Sequence, residues 1–312
     1  MFYDLNIALP ESAGKANAQL SGSEWAQVAQ AISQARDLGY GVVAVNQTIQ
    51  GRLTSEHLGV WRGMPAIAGA QLSWSTATGR RSADWRATGQ VGRGSIRVVR
   101  RVTAVISDAA HGHSLSCSGS GSAAGDYDIV AVRPMSEKLL YAASNGSWDG
   151  VDVISLAMGA RWGFFAKHKT VGQALALGIA FEIAYDAALA ADAAVRQQWV
   201  SNAAALVRVT RGRGVVVTSA ARQAFGLRSP YDVVHLGDAV QLNADLTKRC
   251  VSSNARAVLV HGFTRVATHR AAVSVVLSCG GDGDGDGDGD GDGQPGAKRA
   301  RTDGDGDSAM AR

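Results

Sequence analysis

The feature that most constrains the fold is a repeated alternation of short, β-branched apolar runs with amphipathic helical stretches. That rhythm belongs to α/β proteins with a parallel sheet, because parallel strands need long crossovers and helices supply them. Phe2 to Ile7 reads as a first strand. Ser21-Gly22-Ser23-Glu24 has capping-box spacing, and Trp25, Val28, Ala29, Ile32 and Ala35 then share one helical face until Gly39. Gly41 to Val45 completes the first unit. Further strands are expected at Ile96–Ile106, Tyr127–Val132, Val151–Leu156, Gly178–Tyr185, Val215–Val217 and Ala257–Val260, with helices at Ser136–Asn145, Asp192–Arg211, Ser229–Leu242 and Asn243–Ser253. About eight strands in roughly 260 residues is the count and length of a TIM-like (β/α) barrel. An open doubly wound sheet would place a glycine-rich phosphate loop after its first strand, and Ala8-Leu9-Pro10-Glu11 is not one.

Three segments depart from the rhythm. Residues 280–312 alternate Asp and Gly around a basic cluster, Lys298-Arg299-Ala300-Arg301, and lack any apolar run to offset ordering entropy, so a disordered tail is expected. The barrel itself is assigned to 1–279. Within it, a basic insertion at about 75–95 reads as a flexible loop leading into the arginine-bearing strand at Ile96–Ile106, and residues 112–125 form a Ser/Gly-rich loop. The tail holds nine Asp against four bases, which leaves 27 basic and 18 acidic residues before it. An excess of nine cations, mostly Arg, suits a polyanionic partner.

Cys117, Cys250 and Cys279 are far apart and odd in number, which points to neither a disulfide framework nor a zinc site. With no basic start before a long apolar core and no run of about eighteen apolar residues, a soluble intracellular protein without a membrane partner is expected.

In a barrel the chemistry belongs at the carboxyl ends of the strands. A metal-dependent barrel hydrolase would want His-x-His on its first strand, where this chain has Asp4-Leu5-Asn6, and His261 is the one histidine at an expected strand end. His111-Gly112-His113 lies in the Ser/Gly loop. There is no Gly-x-Ser-x-Gly elbow, Walker loop or His-Glu-x-x-His. No metal, cofactor or catalytic residue is therefore expected. Glu182, a charge inside an apolar strand, reads as a buried ion pairing with Arg or Lys. Basic residues near strand ends, together with Trp162, Phe164 and Phe165 among Arg161, Lys167, His168 and Lys169, suit phosphate contacts, ring stacking or a partner protein's groove. The competing reading is a barrel phosphoesterase of the PHP/amidohydrolase type holding a metal through Asp4, Asp108, His111 and His261.

Several motifs occur together and in order: Phe2 to Leu5; Leu38-Gly39-Tyr40-Gly41-Val42-Val43-Ala44-Val45-Asn46; Tyr127-Asp128-Ile129-Val130-Ala131-Val132-Arg133-Pro134 running on to Leu139; Ala180-Phe181-Glu182-Ile183-Ala184-Tyr185; Val217-Thr218-Ser219-Ala220-Ala221; Pro230-Tyr231-Asp232-Val233-Val234-His235-Leu236-Gly237; and Val258-Leu259-Val260-His261-Gly262 with Thr264-Arg265. This ordered set, spanning nearly the whole body, resembles the thirty-kilodalton protein subunit shared by ribonuclease P and ribonuclease MRP. The resemblance implies a metal-free barrel related to the PHP fold. It also implies a non-catalytic subunit that braces a catalytic RNA and pairs with a small α/β-sandwich subunit, serving precursor-tRNA 5′ leader removal or precursor-rRNA processing in the nucleus and nucleolus. On that reading Lys138, Arg161, Lys167, Arg222 and Arg265 contact RNA or a partner, while Asp4, Glu182 and His261 are structural polar groups. The basic insertion and the Asp-Gly tail are departures from the family pattern.

Overall fold

The computed structural model describes residues 1–74, 76, 94–116, 122–269 and 273–274. The basic insertion apart from Thr76, Gly94 and Ser95, together with Cys117, Cys279 and the Asp-Gly tail, lies outside the described residues.

Eight parallel strands form one sheet: β1 (Phe2–Ala8), β2 (Tyr40–Gln50), β3 (Ala70–Leu72), β4 (Ile96–Ile106), β5 (Ile129–Pro134), β6 (Val153–Ser155), β7 (Ala180–Ala184) and β8 (Val215–Thr218). The path runs β1-β2-β4-β5-β6-β7-β8, and β3 adds to the first part of β4. The helices are α1 (Gly22–Asp37), α2 (Ala109–Gly112), α3 (Glu137–Ser144), α4 (His168–Ala176), α5 (Ala193–Thr210), α6 (Pro230–Asp238), α7 (Ala244–Cys250) and α8 (Ser253–Ala267). Their starts follow local chemistry. Ser21 and Glu24 form the capping box of α1, Asp192 caps α5, and Ser229 caps α6 with Pro230 in its first turn.

The sheet nearly closes. Between β1 and β8 there is no continuous ladder; instead Ile7 bridges Ala221, and Ala8 N–H donates to the Ala221 carbonyl at 2.9 Å. Asp4 stitches the rest of the seam, its Oδ1 accepting the Ser219 N–H at 3.1 Å, while Ser219 Oγ donates to the Asn6 carbonyl at 3.0 Å.

Inward positions recur every second residue, as the strand pleat dictates. Leu5, Val42, Ala44, Val99, Ile129, Ala131, Val153, Ala180 and Val216 fill the lower barrel. One step further along the same strands, toward their carboxyl ends, the inward residues turn polar: Asn46, Arg101, Thr103, Arg133, Ser155, Glu182 and Thr218. The outer faces of the strands meet the helices in a second, larger core.

The strand expected at Ala257–Val260 is the middle of helix α8, so His261 is a helical residue rather than a strand-end one. The four-residue apolar run hides a helical spacing, since Ala255, Val258 and Leu259 lie on one face and enter the barrel's lower core. α8 thus closes the amino end of the barrel. A Cβ on its Gly262 would lie 2.1 Å from the Asp128 carbonyl oxygen, so glycine permits this approach. Among the described residues no strand takes the place between β8 and β1 that the expected one would fill, and the sheet's eighth strand is β3, which pairs with the start of β4 and at three residues is too short to carry an alternation signal.

Candidate functional site at the barrel mouth

The polar layer at the carboxyl end is a closed network centred on Glu182. Arg101 reaches across from β4 and meets the carboxylate with both terminal nitrogens, at 2.5 and 2.6 Å, and the two side chains are 0% and 1% exposed. Arg101 also donates to the Leu5 carbonyl at 2.8 Å. Thr218 Oγ1 and Asn6 Nδ2 donate to Glu182 Oε1 at 2.7 and 3.0 Å. Asn46 Nδ2 donates to Asn6 Oδ1, and Thr103 Oγ1 to Asn46 Oδ1, each at 2.8 Å. Burial alone would push the Glu182 carboxyl up, but the Arg101 charge and hydrogen bonds from Arg101, Ser155 and Thr218 outweigh it and hold the group at about 2. A carboxylate so fully occupied is held as an anion and has no lone pair aimed at solvent.

Above this pair sits Arg133, half-buried, with Nε 3.3 Å from the Ser155 carbonyl and Nη2 3.4 Å from Ser155 Oγ. Burial lowers its pKa, with the neighbouring Glu182 acting in the opposite sense. Arg100, one residue before Arg101, points the other way, with its guanidinium 5.4 Å from the Trp74 ring and 5.9 Å from that of Tyr127. Arg97, Arg100 and Arg101 are therefore buried residues of β4, the strand expected at Ile96–Ile106. The signal for this is the density of β-branched residues through the segment, Ile96, Val98, Val99, Val102 and Thr103, which a strand tolerates even with arginines among them.

Asp4 points out of the barrel at the seam. Its Oδ1 is shared between the Asn6 and Ser219 amides, its Oδ2 lacks a hydrogen-bond partner, and burial raises its pKa. His261 lies at the other end of the barrel, where its Nδ1 is 2.7 Å from Asp152 Oδ1. Arg265 joins the same carboxylate, with Nη2 3.1 Å from Oδ2, and donates to the Ala124 and Tyr127 carbonyls; its side chain is 3% exposed. Arg265 is thereby committed to the interior and does not present a cation to solvent. Asp108 caps α2 and His111 lies within that helix, beyond the carboxyl end of β4. Asp4, Asp108, His111 and His261 consequently occupy separate places, and among the described residues no three of His, Cys, Asp and Glu come together as a metal would require.

The remaining basic residues stand on the mouth's outer rim, on segments that leave the carboxyl ends of the strands. Lys138 opens α3, Arg161 and Lys167 lie between β6 and α4, and Arg222 follows β8; all four are exposed. Lys167 meets Glu137 at 2.5 Å and Arg222 meets Glu11 at 2.7 Å, both in open solvent where such pairs are weak and exchangeable. The aromatic cluster divides: Trp162 donates to the Ala157 carbonyl at 2.8 Å and, with Phe164, packs on the core, whereas Phe165 is 86% exposed. Phe225, 85% exposed, and Met135, 59% exposed, share that rim.

The architecture defines an α/β barrel whose carboxyl-end mouth is filled by a buried ion pair beneath a cationic, partly apolar rim. A family profile described as RNase P subunit p30 matches residues 1–267, and the chain belongs to that family. It is 36% identical over 170 residues to the mouse ribonuclease P protein subunit p30, covering 54% of this chain and 62% of that protein. The probable ribonuclease P protein subunit 3 of Schizosaccharomyces pombe is 34% identical over 149 residues, 48% of this chain and 62% of that one. The ribonuclease P/MRP protein subunit RPP1 of Saccharomyces cerevisiae is 30% identical over 181 residues, 58% of this chain and 59% of that one. The chain thus spans about three-fifths of the length of these relatives. A chain in the cryo-EM structure of archaeal ribonuclease P with mature tRNA shares the fold at a TM-score of 0.55 and 12% identity, covering 89% of this chain and 99% of that one.

Proposed function

We propose that this chain is a non-catalytic protein subunit of the ribonuclease P or MRP ribonucleoprotein, bracing the RNA and its neighbouring proteins while the RNA performs phosphodiester cleavage. The observation that carries this reading is the Arg101–Glu182 pair. It fills the place where a barrel enzyme would keep its reactive groups, and every acceptor of Glu182 is already used inside the protein. Membership of the p30 family supplies the setting. Lys138, Arg161, Lys167 and Arg222 on the rim are the proposed RNA or partner contacts, with the body's excess of basic residues favouring phosphate. A nuclear and nucleolar location and a small α/β-sandwich partner subunit belong to the same proposal.

The test is native affinity purification of the tagged chain, with sequencing of co-purifying RNA and a precursor-tRNA cleavage assay before and after nuclease digestion. The expected result is one enriched structured RNA whose digestion abolishes cleavage. No enriched RNA, or cleavage that survives digestion, would sink the proposal. The rim is tested by Lys138→Glu with Arg161→Glu, which should weaken RNA recovery most at low salt and make what remains less salt-dependent; unchanged recovery at low and moderate salt would remove these residues from the interface.

A further inference from the structure

A groove of about 570 Å3 opens at the amino end of the barrel, between α4, the end of α5 and α8. Its floor is aliphatic, formed by Leu175, Ile179, Val209 and Val258, and Arg211 and Arg213 stand on its margin. No carboxylate lines it, and both arginines are exposed with no carboxylate within ion-pair distance among the described residues. The turn that carries them is fixed by the backbone. Arg211 adopts the left-handed conformation, φ 56°, at the position after α5 where glycine is usual, and its N–H is held by the Val207 carbonyl. Gly214, also at positive φ, lies under Leu175, whose Cδ2 is 2.3 Å from where a Cβ would stand. A strained arginine and a tightly covered glycine thus hold two cations beside an apolar groove in which Leu175 and Val209 are partly exposed and Ile179 and Val258 form the buried base.

We propose that this groove docks a segment of a partner protein carrying an aliphatic anchor flanked by carboxylates. The aliphatic floor takes the anchor, at a volume within the range of about 300–1,000 Å3 found for built binding sites. The cationic margin selects the flanking charge and steers the encounter. Nucleic acid fits less well: bases are gripped by stacking on aromatic rings, and the groove is lined by one, His168, against an otherwise aliphatic wall. The proposal rests on the subunit reading only for the presence of protein neighbours.

The experiment uses the full chain as bait for a phage-displayed random-peptide library, followed by fluorescence anisotropy of the recovered peptides. Two variants probe the groove. Gly172→Trp fills it from α4, where a Cβ meets nothing within 4 Å and a helix-interior glycine is replaced by a better helix former. Arg211→Glu with Arg213→Glu reverses the margin. The expected result is enrichment of peptides that join Leu, Ile or Val to Asp or Glu, with affinity about tenfold weaker in either variant and weaker in salt. Melting temperature checks that Gly172→Trp stays folded. No enrichment, or peptides that bind both variants as well as the parent, would overturn the proposal. So would an oligouridine strand, or self-association seen by sedimentation, that Gly172→Trp abolishes, since the groove would then serve RNA or a second copy. If the variants still recover RNA and support precursor-tRNA cleavage while no peptide is selected, the groove proposal fails alone. If the parent recovers no RNA but selects the expected peptides, the subunit reading fails and the groove remains.

Discussion

Both ends of the barrel hold a buried carboxylate gripped by an arginine, and the two are built for different tasks. At the carboxyl end every partner of Glu182 comes from the strands of the barrel wall itself: Asn6, Arg101, Ser155 and Thr218. At the amino end Asp152, which precedes β6, is gripped by His261 and Arg265 of α8, a helix added across the opening. The first cluster seals a cavity by joining opposite strands, and the second fastens a lid of secondary structure to the sheet. The first is also wholly inside, whereas His261 keeps 28% of its side chain in solvent. A sealed pair answers to substitution alone; a fastening with a partly wet histidine answers to pH as well.

The largest effect should come from breaking the sealed pair. Arg101→Met leaves Glu182 charged, buried and without its cation, and should cost about 3–5 kcal/mol in chemical denaturation. Arg101→Met with Glu182→Leu removes both charges and should recover most of that loss. A single variant within about 1 kcal/mol of the parent would show that Asn6 and Thr218 suffice to hold the anion, and the mouth would then be a polar pocket rather than a seal. Because the folded carboxyl titrates near 2, below its ordinary 4.5, the pair's contribution is present above about pH 4.5 and is lost as pH falls toward 2.

The fastening should respond next. Gly262→Ala puts a methyl against the Asp128 carbonyl, lifts α8 and should cost about 1–3 kcal/mol. His261 adds a smaller, pH-dependent part. Its hydrogen bond to Asp152 raises its pKa, burial opposes this, the Asp152 charge adds to the rise and Arg265 subtracts from it. A pKa raised on folding means stability that is present below the unfolded value near 6.5 and lost as pH rises through the folded one. His261→Gln should flatten that slope and cost about 1.5 kcal/mol at low pH. An unchanged slope in denaturation midpoints between pH 5 and 8 would remove His261 from the fastening.

The two ends also differ in how far the chain betrays them. The alternation of Val42, Ala44 and Asn46, or of Ile129, Ala131 and Arg133, makes the barrel wall readable, because each inward residue is set by a period of two. Glu182 stands out for a similar reason, as a carboxylate in an apolar strand. Its partner does not, since Arg101 is separated from it by 81 residues and follows an arginine-rich stretch. α8 was harder still: Ala257-Val258-Leu259-Val260 satisfies a buried strand and a buried helix equally, and only the wider spacing through Gly262 separates them. The amino-end groove has no local signature, because Leu175, Val209 and Val258 meet through tertiary packing alone.

The smallest effect is expected at the rim. Lys167→Ala and Arg222→Ala break ion pairs to Glu137 and Glu11 whose side chains are all at least half in solvent, so water and salt already share those charges. Each variant should change unfolding free energy by no more than about 0.5 kcal/mol, and the change should vanish as salt rises past a few tenths molar. A cation that costs so little to remove from the folded chain is one that can exchange its carboxylate for a phosphate without disturbing the barrel. A loss above about 1.5 kcal/mol in either variant would mean that the rim is part of the scaffold, and the contrast between a sealed mouth and an adaptable edge would have to be redrawn.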